Sequence, residues 1–384
     1  MNSGRPGPLA GIRIIEIAHM LAGPYCGMLL ADMGAEVIKI EPPAGDIART
    51  VGAPEVDGHN TYFASLNRNK RSVMLDLASP QGQSSLHALV RDAHGLITNL
   101  RPKAIKKLGL TYERLAPCNP TIACLALTGF GLNGPFADRP AYDYIIQAIA
   151  GILSLTGEPD GPPVRAGYSM VDNSSGIMAA FALTAMIHAG RGGQVEVSLY
   201  DALLSQLKYI ASAYLNGGEE PRRYKSGAHS YFVPAQIFDT KDGHLALFVT
   251  HDEFWRKMSI ELDRPHWLTD QRFATTRARS ANRDLVIAEL ETLWRTQNTA
   301  HWVNRLAPLG VVIAGVETLG HALDSDLTQS RQMVVQIPTV GGNLRLVASP
   351  IKIDGFEPHY VLPPHLGEHT AELLRATADR YAIK

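Results

Sequence analysis

The sequence predicts an α/β protein: a Rossmann-like large domain with a mostly parallel sheet, plus a smaller α+β domain. Three observations carry that reading. Apolar strand-like runs alternate with helix-like stretches through residue 200, the pattern of βαβ units. The chain opens on strand, helix and strand, for which a right-handed crossover is expected. Near residue 216 the composition changes to NGGEEPRRYKSGAHS, a Gly-, Pro- and charge-rich stretch that reads as a linker or lid. The expected division is a large domain over 1–215, a small domain over 226–325 and a C-terminal segment over 326–384.

The elements follow in order. Residues 12–18, IRIIEIA, are an apolar run broken by one Glu, as in a strand buried on both faces. AGPYCGMLLADMGA is a helix entered at Pro24 and closed at Gly34. EVIKIE is the second strand. The turn between them lacks G-x-G-x-x-G, so the dinucleotide fingerprint is absent. Residues 42–71 read as a polar loop, followed by the strand SVMLDL. Ser79 caps a helix with Pro80 at its first position. GLITNL and TIACLALTGFG are further strands, separated by a short helix after Arg101-Pro102. QVEVS leads into another helix. In the small domain, strands flank the hairpin signal Lys241-Asp242-Gly243, and three helical stretches follow. A late β pair surrounds Gly341-Gly342, and PHLGEHTAELLRATADRY is a C-terminal helix.

Composition narrows the function classes. The chain has 384 residues, 45% hydrophobic and 19% charged, as an ordinary globular protein has. A net charge of −1 supplies no basic field, so no nucleic-acid partner is expected. Three cysteines, Cys26, Cys118 and Cys124, do not make a disulfide framework and suit a cytoplasmic protein. The N-terminus has no long apolar core of a signal peptide. The longest weakly polar run, GIMAAFALTAMIHAG, reads as a buried helix, so no membrane partner is expected.

One stretch concentrates the chemistry. From Asp138 to His188, two apolar helix-like runs flank the loop GEPDGPPVRAG. Just beyond stands a lone carboxylate, Asp172, before Asn-Ser-Ser-Gly and the second helix. Backbone N–H groups and the helix dipole there favour the ionised form, and so a lowered pKa. An ionised Asp facing a cleft can act as a nucleophile. The plainer reading is an N-cap, the commoner role for Asp, Asn and Ser at such a place.

The same stretch resembles the class III CoA-transferase family, which includes formyl-CoA transferase, carnitine CoA-transferases and α-methylacyl-CoA racemases. The residues that carry the resemblance are Tyr142, Asp143, Gln147, Ala148, Gly151, Thr156, Gly157, Asp172, Ser175 and Gly176. The N-terminal run LAGIRIIEIAHMLAGPYCGMLLADMGAEVIKIEPPAGDIAR is similar to the family's along its length. The resemblance implies that Asp172 is the nucleophile, that it forms an acyl anhydride and then a CoA thioester, and that CoA passes from an acyl-CoA to a free carboxylic acid. It implies coenzyme A as substrate, no permanently bound cofactor and no metal. It places Leu75, Asn99, Lys107 and Leu108 near CoA, where Arg101 of the neighbouring basic cluster is also expected, and His19, Leu21 and Tyr142 near the acyl group. It also implies that the C-terminal segment returns to the large domain, and that two ring-like subunits interlink in a homodimer.

Departures from the family pattern sharpen the reading. Racemases have Gly-His-Asp where this chain has Ala141-Tyr142-Asp143. Tyr titrates near 10 when unperturbed and is a poor base at neutral pH, which favours transfer over racemisation. Leu21 replaces a Gln of formyl-CoA transferase, and 216–235 contains no tetraglycine flap. Both differences argue against oxalate or formate. Gly217, Gly218 and Gly227 are the candidates for oxyanion donors in a lid. The alternatives are an acyl-CoA racemase or isomerase, and a non-catalytic CoA-binding protein with Asp172 as a cap. Deuterium exchange at the α-carbon of a chiral acyl-CoA separates the first, and absence of turnover the second.

Three other patterns are weighed. Basic residues cluster at Arg68, Lys70 and Arg71, and again at Arg101, Lys103, Lys106 and Lys107. They suit CoA phosphates, although charge runs are usually solvated surface. Cys26 lacks the His and Asn/Asp framework of a thiol nucleophile. His365-x-x-Glu368-His369 matches a zinc-protease pattern, but Gly367 interrupts the helix that pattern needs and no third ligand is evident.

Overall fold

The computed structural model describes residues 6–381. In chain order, β1 (Arg13–Ile17), α1 (Ala22–Asp32) and β2 (Glu36–Glu41) form the opening βαβ unit. A two-residue hairpin, β3 (Glu55–Val56) and β4 (His59–Asn60), precedes α2 (Thr61–Asn67) and β5 (Lys70–Met74). Then come α3 (Pro80–Val90), β6 (Gly95–Thr98), α4 (Pro102–Lys107), α5 (Tyr112–Leu115) and β7 (Ala123–Thr128). The catalytic-like stretch supplies α6 (Asp143–Ile149) and α7 (Met170–His188), followed by β8 (Gly193–Ser198) and α8 (Leu199–Gln206).

The six longer strands make one sheet in the order β5-β2-β1-β6-β7-β8. Every pairing in it is parallel. β2, β6 and β7 are buried along almost their whole length, whereas edge strand β8 alternates. That is the signature of a sheet covered on both faces except at its rim. The strand order reverses between β1 and β6. In open α/β sheets a crevice forms there, outside the carboxyl ends of the strands, and ligands bind in it.

Local chemistry sets the helix starts. Ser79 Oγ accepts from Gly82 N–H with Pro80 in the first turn of α3. The stretch 42–71 is more ordered than its polar composition suggested. Asn60 Oδ1 accepts from Tyr62 and Phe63 N–H and starts α2, and Phe63, Ala64 and Leu66 are buried. The apolar spacing inside TYFASLN was the signal available in the sequence.

The chain divides into two compact units. The first comprises 1–150, 167–208 and 325–384, and the second 151–166 and 209–324. Segment 151–166, placed with the large domain on sequence grounds, groups with the second unit. In the first unit the C-terminal segment forms an antiparallel pair, Val334–Pro338 with Asn343–Val347. Its last helix, Thr370–Tyr381, buries Leu373 in the core beside Leu86 and Val73. The second unit has an antiparallel sheet of β9 (Ala235–Asp239), β10 (His244–Phe248) and β11 (Ile313–Gly315). Helices cover one face around Trp255, Trp267, Trp294 and Trp302, all the tryptophans of the chain.

Candidate active site

The loops after β1, β6 and β7 and the first turn of α7 enclose a cavity of about 140 Å³ in the first unit. It lies at the carboxyl edge of the sheet, at the strand-order reversal. His19, Leu21, Asn99, Arg101, Tyr142 and Asp172 all line it. Wider hollows of about 580 and 780 Å³ lie in the second unit and include none of these residues.

Asp172 is not the cap of α7. It sits in the third position of the helix, after Met170 and Val171. The orphan N–H groups of the first turn are taken by another carboxylate: Asp143 Oδ2 accepts from Val171 N–H at 2.7 Å and from Asp172 N–H at 3.3 Å. Asp143 is buried, and its other oxygen accepts from Gln147 Nε2 at 2.6 Å. Asp143 and Gln147 are one helical turn apart on α6, so Gln147 can hold Asp143 where it meets the start of α7. No side chain among the described residues hydrogen-bonds the Asp172 carboxylate.

The charge state of Asp172 therefore differs from the sequence expectation. Its pKa is raised to about 7, first by burial and then by the neighbouring Asp143 charge. The expected stabilisation by backbone N–H groups goes to Asp143 instead. Tyr62 on α2 belongs to the same neighbourhood, since its hydroxyl is raised by burial and then by Asp172 and Asp46. Sequence reading missed Tyr62 because it took the segment for loop.

His19 is held from both sides of its backbone. Its N–H donates to Asn99 Oδ1 at 2.9 Å and its carbonyl accepts from Asn99 Nδ2 at 2.8 Å. Burial lowers the imidazole pKa; Asp46 opposes this, while Lys39 and Arg101 add to it. The net shift favours the neutral imidazole. Asn99 is a loop clamp in this geometry. α7 can approach α1 closely because Gly176 has no side chain: a Cβ there would lie 2.9 Å from Ala22 O.

Other expected residues fall elsewhere. Leu75 is buried in the core of the sheet, because β5 turns it inward after exposed Met74. Lys107 and Leu108 end α4 and do not line the cavity; Leu108 O accepts from Gln83 Nε2. The first basic cluster is committed to ion pairs: Arg68 with Asp32, Lys70 with Glu16, and Arg71 with Glu36 and Glu372. Cys26 is fully buried, and burial followed by the Glu16 charge pushes its thiol pKa far up. Glu368 accepts from His365 N–H and His369 Nδ1 accepts from Ser72 N–H. No group of three possible ligands converges on a metal position among the described residues.

The profile of CoA-transferase family III matches residues 9–370. The chain belongs to this family. It is 36% identical over 383 residues to a succinate–glutarate CoA-transferase of Agrobacterium fabrum, covering 96% of each chain. It is 34% identical over 380 residues to an acetyl-CoA:oxalate CoA-transferase of Acetobacter aceti, covering 97% of this chain and 96% of the other. Its structure superposes on that of a CaiB/BaiF family protein from Brucella suis with a TM-score of 0.84 at 32% identity, covering 97% of this chain and all of the other. This family III member is an enzyme that transfers CoA between an acyl-CoA and an acid.

Proposed function

We propose that the transfer runs through Asp172 and that the acceptor is a short dicarboxylic acid. The observation that carries the proposal is the position of Asp172: a carboxylate in the switch-point cavity, relieved of capping by Asp143. An ionised Asp172 oxygen attacks the donor thioester carbon and expels CoA thiolate, leaving an acyl anhydride. The thiolate attacks the Asp172 carbonyl and releases the donor acid, which leaves CoA on Asp172 as a thioester. The acceptor carboxylate then repeats these two steps in reverse. One thioester is broken and one formed, with no net proton. A desolvated carboxylate with a raised pKa is a stronger nucleophile once ionised.

Arg101 borders the cavity with no carboxylate paired to it among the described residues, and we assign it to CoA phosphate. Lys107, exposed at the end of α4, adds a point charge further out. The relatives named for succinate and glutarate support a dicarboxylic acceptor. A homodimer is part of the same reading. It is supported by Ile177 and Phe181, 53% and 77% exposed on α7, an apolar surface that a second copy would cover. This helix is also long and apolar enough by composition to cross a membrane, but its other face is buried against the sheet and α1. A cytoplasmic setting is supported by three free thiols.

The test is chemical trapping. Enzyme incubated with acyl-CoA, then with hydroxylamine, is expected to carry a hydroxamate at position 172. Asp172→Asn is expected to lose about 10³-fold or more in kcat, since the attacking charge is gone. Full activity of Asp172→Asn, with deamidation excluded by mass, would refute the nucleophile. A scan of acceptors with succinyl-CoA as donor tests the dicarboxylate assignment, which fails if monocarboxylic acids are preferred.

A further inference from the structure

Four charged side chains are buried beneath the cavity. Glu16 stands mid-strand on β1, the one break in that apolar run, with Lys39 beside it on β2 and Lys70 on β5. Lys39 Nζ pairs with Glu16 at 3.1 Å and with Asp46 at 2.9 Å; Lys70 Nζ pairs with the other Glu16 oxygen at 2.8 Å. All four side chains are at most 1% exposed. Gly27 on α1 makes room for them, since a Cβ there would lie 1.9 Å from Glu16 Oε2. The mechanism uses none of these groups.

The cluster reaches the cavity through backbone. Lys39 Nζ donates to Ala18 O at 2.7 Å. Asn99 holds both polar groups of His19. Asp46 Oδ1 accepts from Met20 N–H at 3.2 Å. Three consecutive residues after β1 are thus each gripped by a side chain from another part of the first unit. Met20 needs the grip: its φ of 61° is left-handed, a conformation strained for a residue with a long side chain. Asp46 is fixed in turn, because its Oδ1 also accepts from Ala48 N–H and its own N–H donates to Glu41.

We propose that Asp46, anchored by Lys39 and Glu16, is a positioning residue that holds the strained turn at Met20 so that His19 and Leu21 stay on the cavity wall beside Asp172. The proposal rests on the nucleophile reading above. A loop released from this clamp moves His19 and Leu21 by ångströms, and displacement of that size costs turnover more than binding. CoA binding through Arg101 and Lys107 is untouched.

The experiment compares four proteins, each checked for folding by circular dichroism and thermal melting. Asp46→Ala removes both the acceptor for Met20 and the partner of Lys39. Asp46→Asn keeps the size and one acceptor oxygen, and serves if the alanine variant does not fold. Asp32→Asn is the control: it breaks the buried pair with Arg68, 2.7 Å long, which touches no residue of the turn. Asp172→Asn tests the nucleophile separately. Both Asp46 variants are expected to lose about 10- to 100-fold in kcat, with KM for acyl-CoA within about threefold of the parent. Asp32→Asn is expected to melt lower with kcat unchanged. If folded Asp46 variants keep kcat within about twofold and lose only melting temperature, as a merely structural pair would, the positioning role is overturned. If Asp172→Asn is active, the nucleophile reading falls, whatever the Asp46 variants do.

Discussion

Two places at the carboxyl edge of one sheet bury carboxylates in opposite ways. At the floor, burial pushes the Asp46 carboxyl up, but the Lys39 charge and the N–H groups of Ala48 and Met20 outweigh it, and the pKa ends below the usual value. At the start of α7, burial pushes Asp172 the same way, and its charged neighbour is Asp143, so the pKa ends at about 7. Burial acts in the same direction on both; the sign of the partner decides the outcome. A carboxylate given a cation becomes structure. One placed beside another carboxylate, with its backbone donors taken, is left without a stabilising partner for its charge.

The largest way to break this comparison is to remove the cation from the floor. Lys39→Met leaves Glu16 buried with one ammonium, Lys70, and Asp46 buried with no cation paired to it. We expect a loss of about 3–5 kcal/mol, the usual cost of breaking a buried pair, measured by urea unfolding at pH 7. A loss under about 1 kcal/mol would mean that the floor charges are solvated.

The next test uses pH on activity. If Asp172 must be ionised to attack, kcat/KM with acyl-CoA should fall about tenfold per unit as pH drops below about 7. Asp143→Asn should move that midpoint to lower pH, because it removes the like charge that raises Asp172. A profile flat from pH 5 to 8 in the parent would separate turnover from this carboxyl.

The smallest effect is on stability, and it has opposite signs in the two places. Asp172 has a folded pKa above the unfolded value of 3.8. Its contribution is therefore full below about pH 4 and is lost as pH rises through about 7. Asp172→Asn should stabilise the fold by roughly 1–3 kcal/mol at pH 8, an expectation reduced for the partial exposure of the group, by about a third of that at pH 5, and by almost nothing below about pH 4. Asp46 has a lowered folded pKa, so its contribution is present above the unfolded value and is lost only in stronger acid. Chemical denaturation of parent and Asp172→Asn at these pH values checks this. A stability loss at pH 8 would show that the ionised side chain is held by partners.

Much of the first unit was legible in order along the chain. Apolar runs bounded by Gly and Pro located β1, β2, β6 and β7, because strands buried on both faces leave an unbroken hydrophobic record. The β5 strand came two residues early, since Lys70 and Arg71 read as loop until Glu16, Glu36 and Glu372 are seen opposite them. Of the cavity residues, Asp172, His19, Leu21, Asn99 and Tyr142 were found from sequence through family resemblance, and Arg101 through its basic cluster. Tyr62, outside the cavity lining but in the electrostatic neighbourhood of Asp172, was not found, because it sits on a helix hidden in a polar stretch.

By itself the sequence determined the α/β class, the family and the position of one carboxylate, since each is written in local spacing and in side-chain type. Only the tertiary structure decided what state those carboxylates are in. Asp143 and Asp172 are 29 residues apart, and Glu16, Lys39, Asp46 and Lys70 come from separate strands and a loop. Which one caps a helix, which meets a cation and which stays unpaired depends on distances of about 3 Å across the fold. Electrostatic energy at such range is set by the partner in space and the water excluded around it, and neither is recorded in the order of residues along the chain.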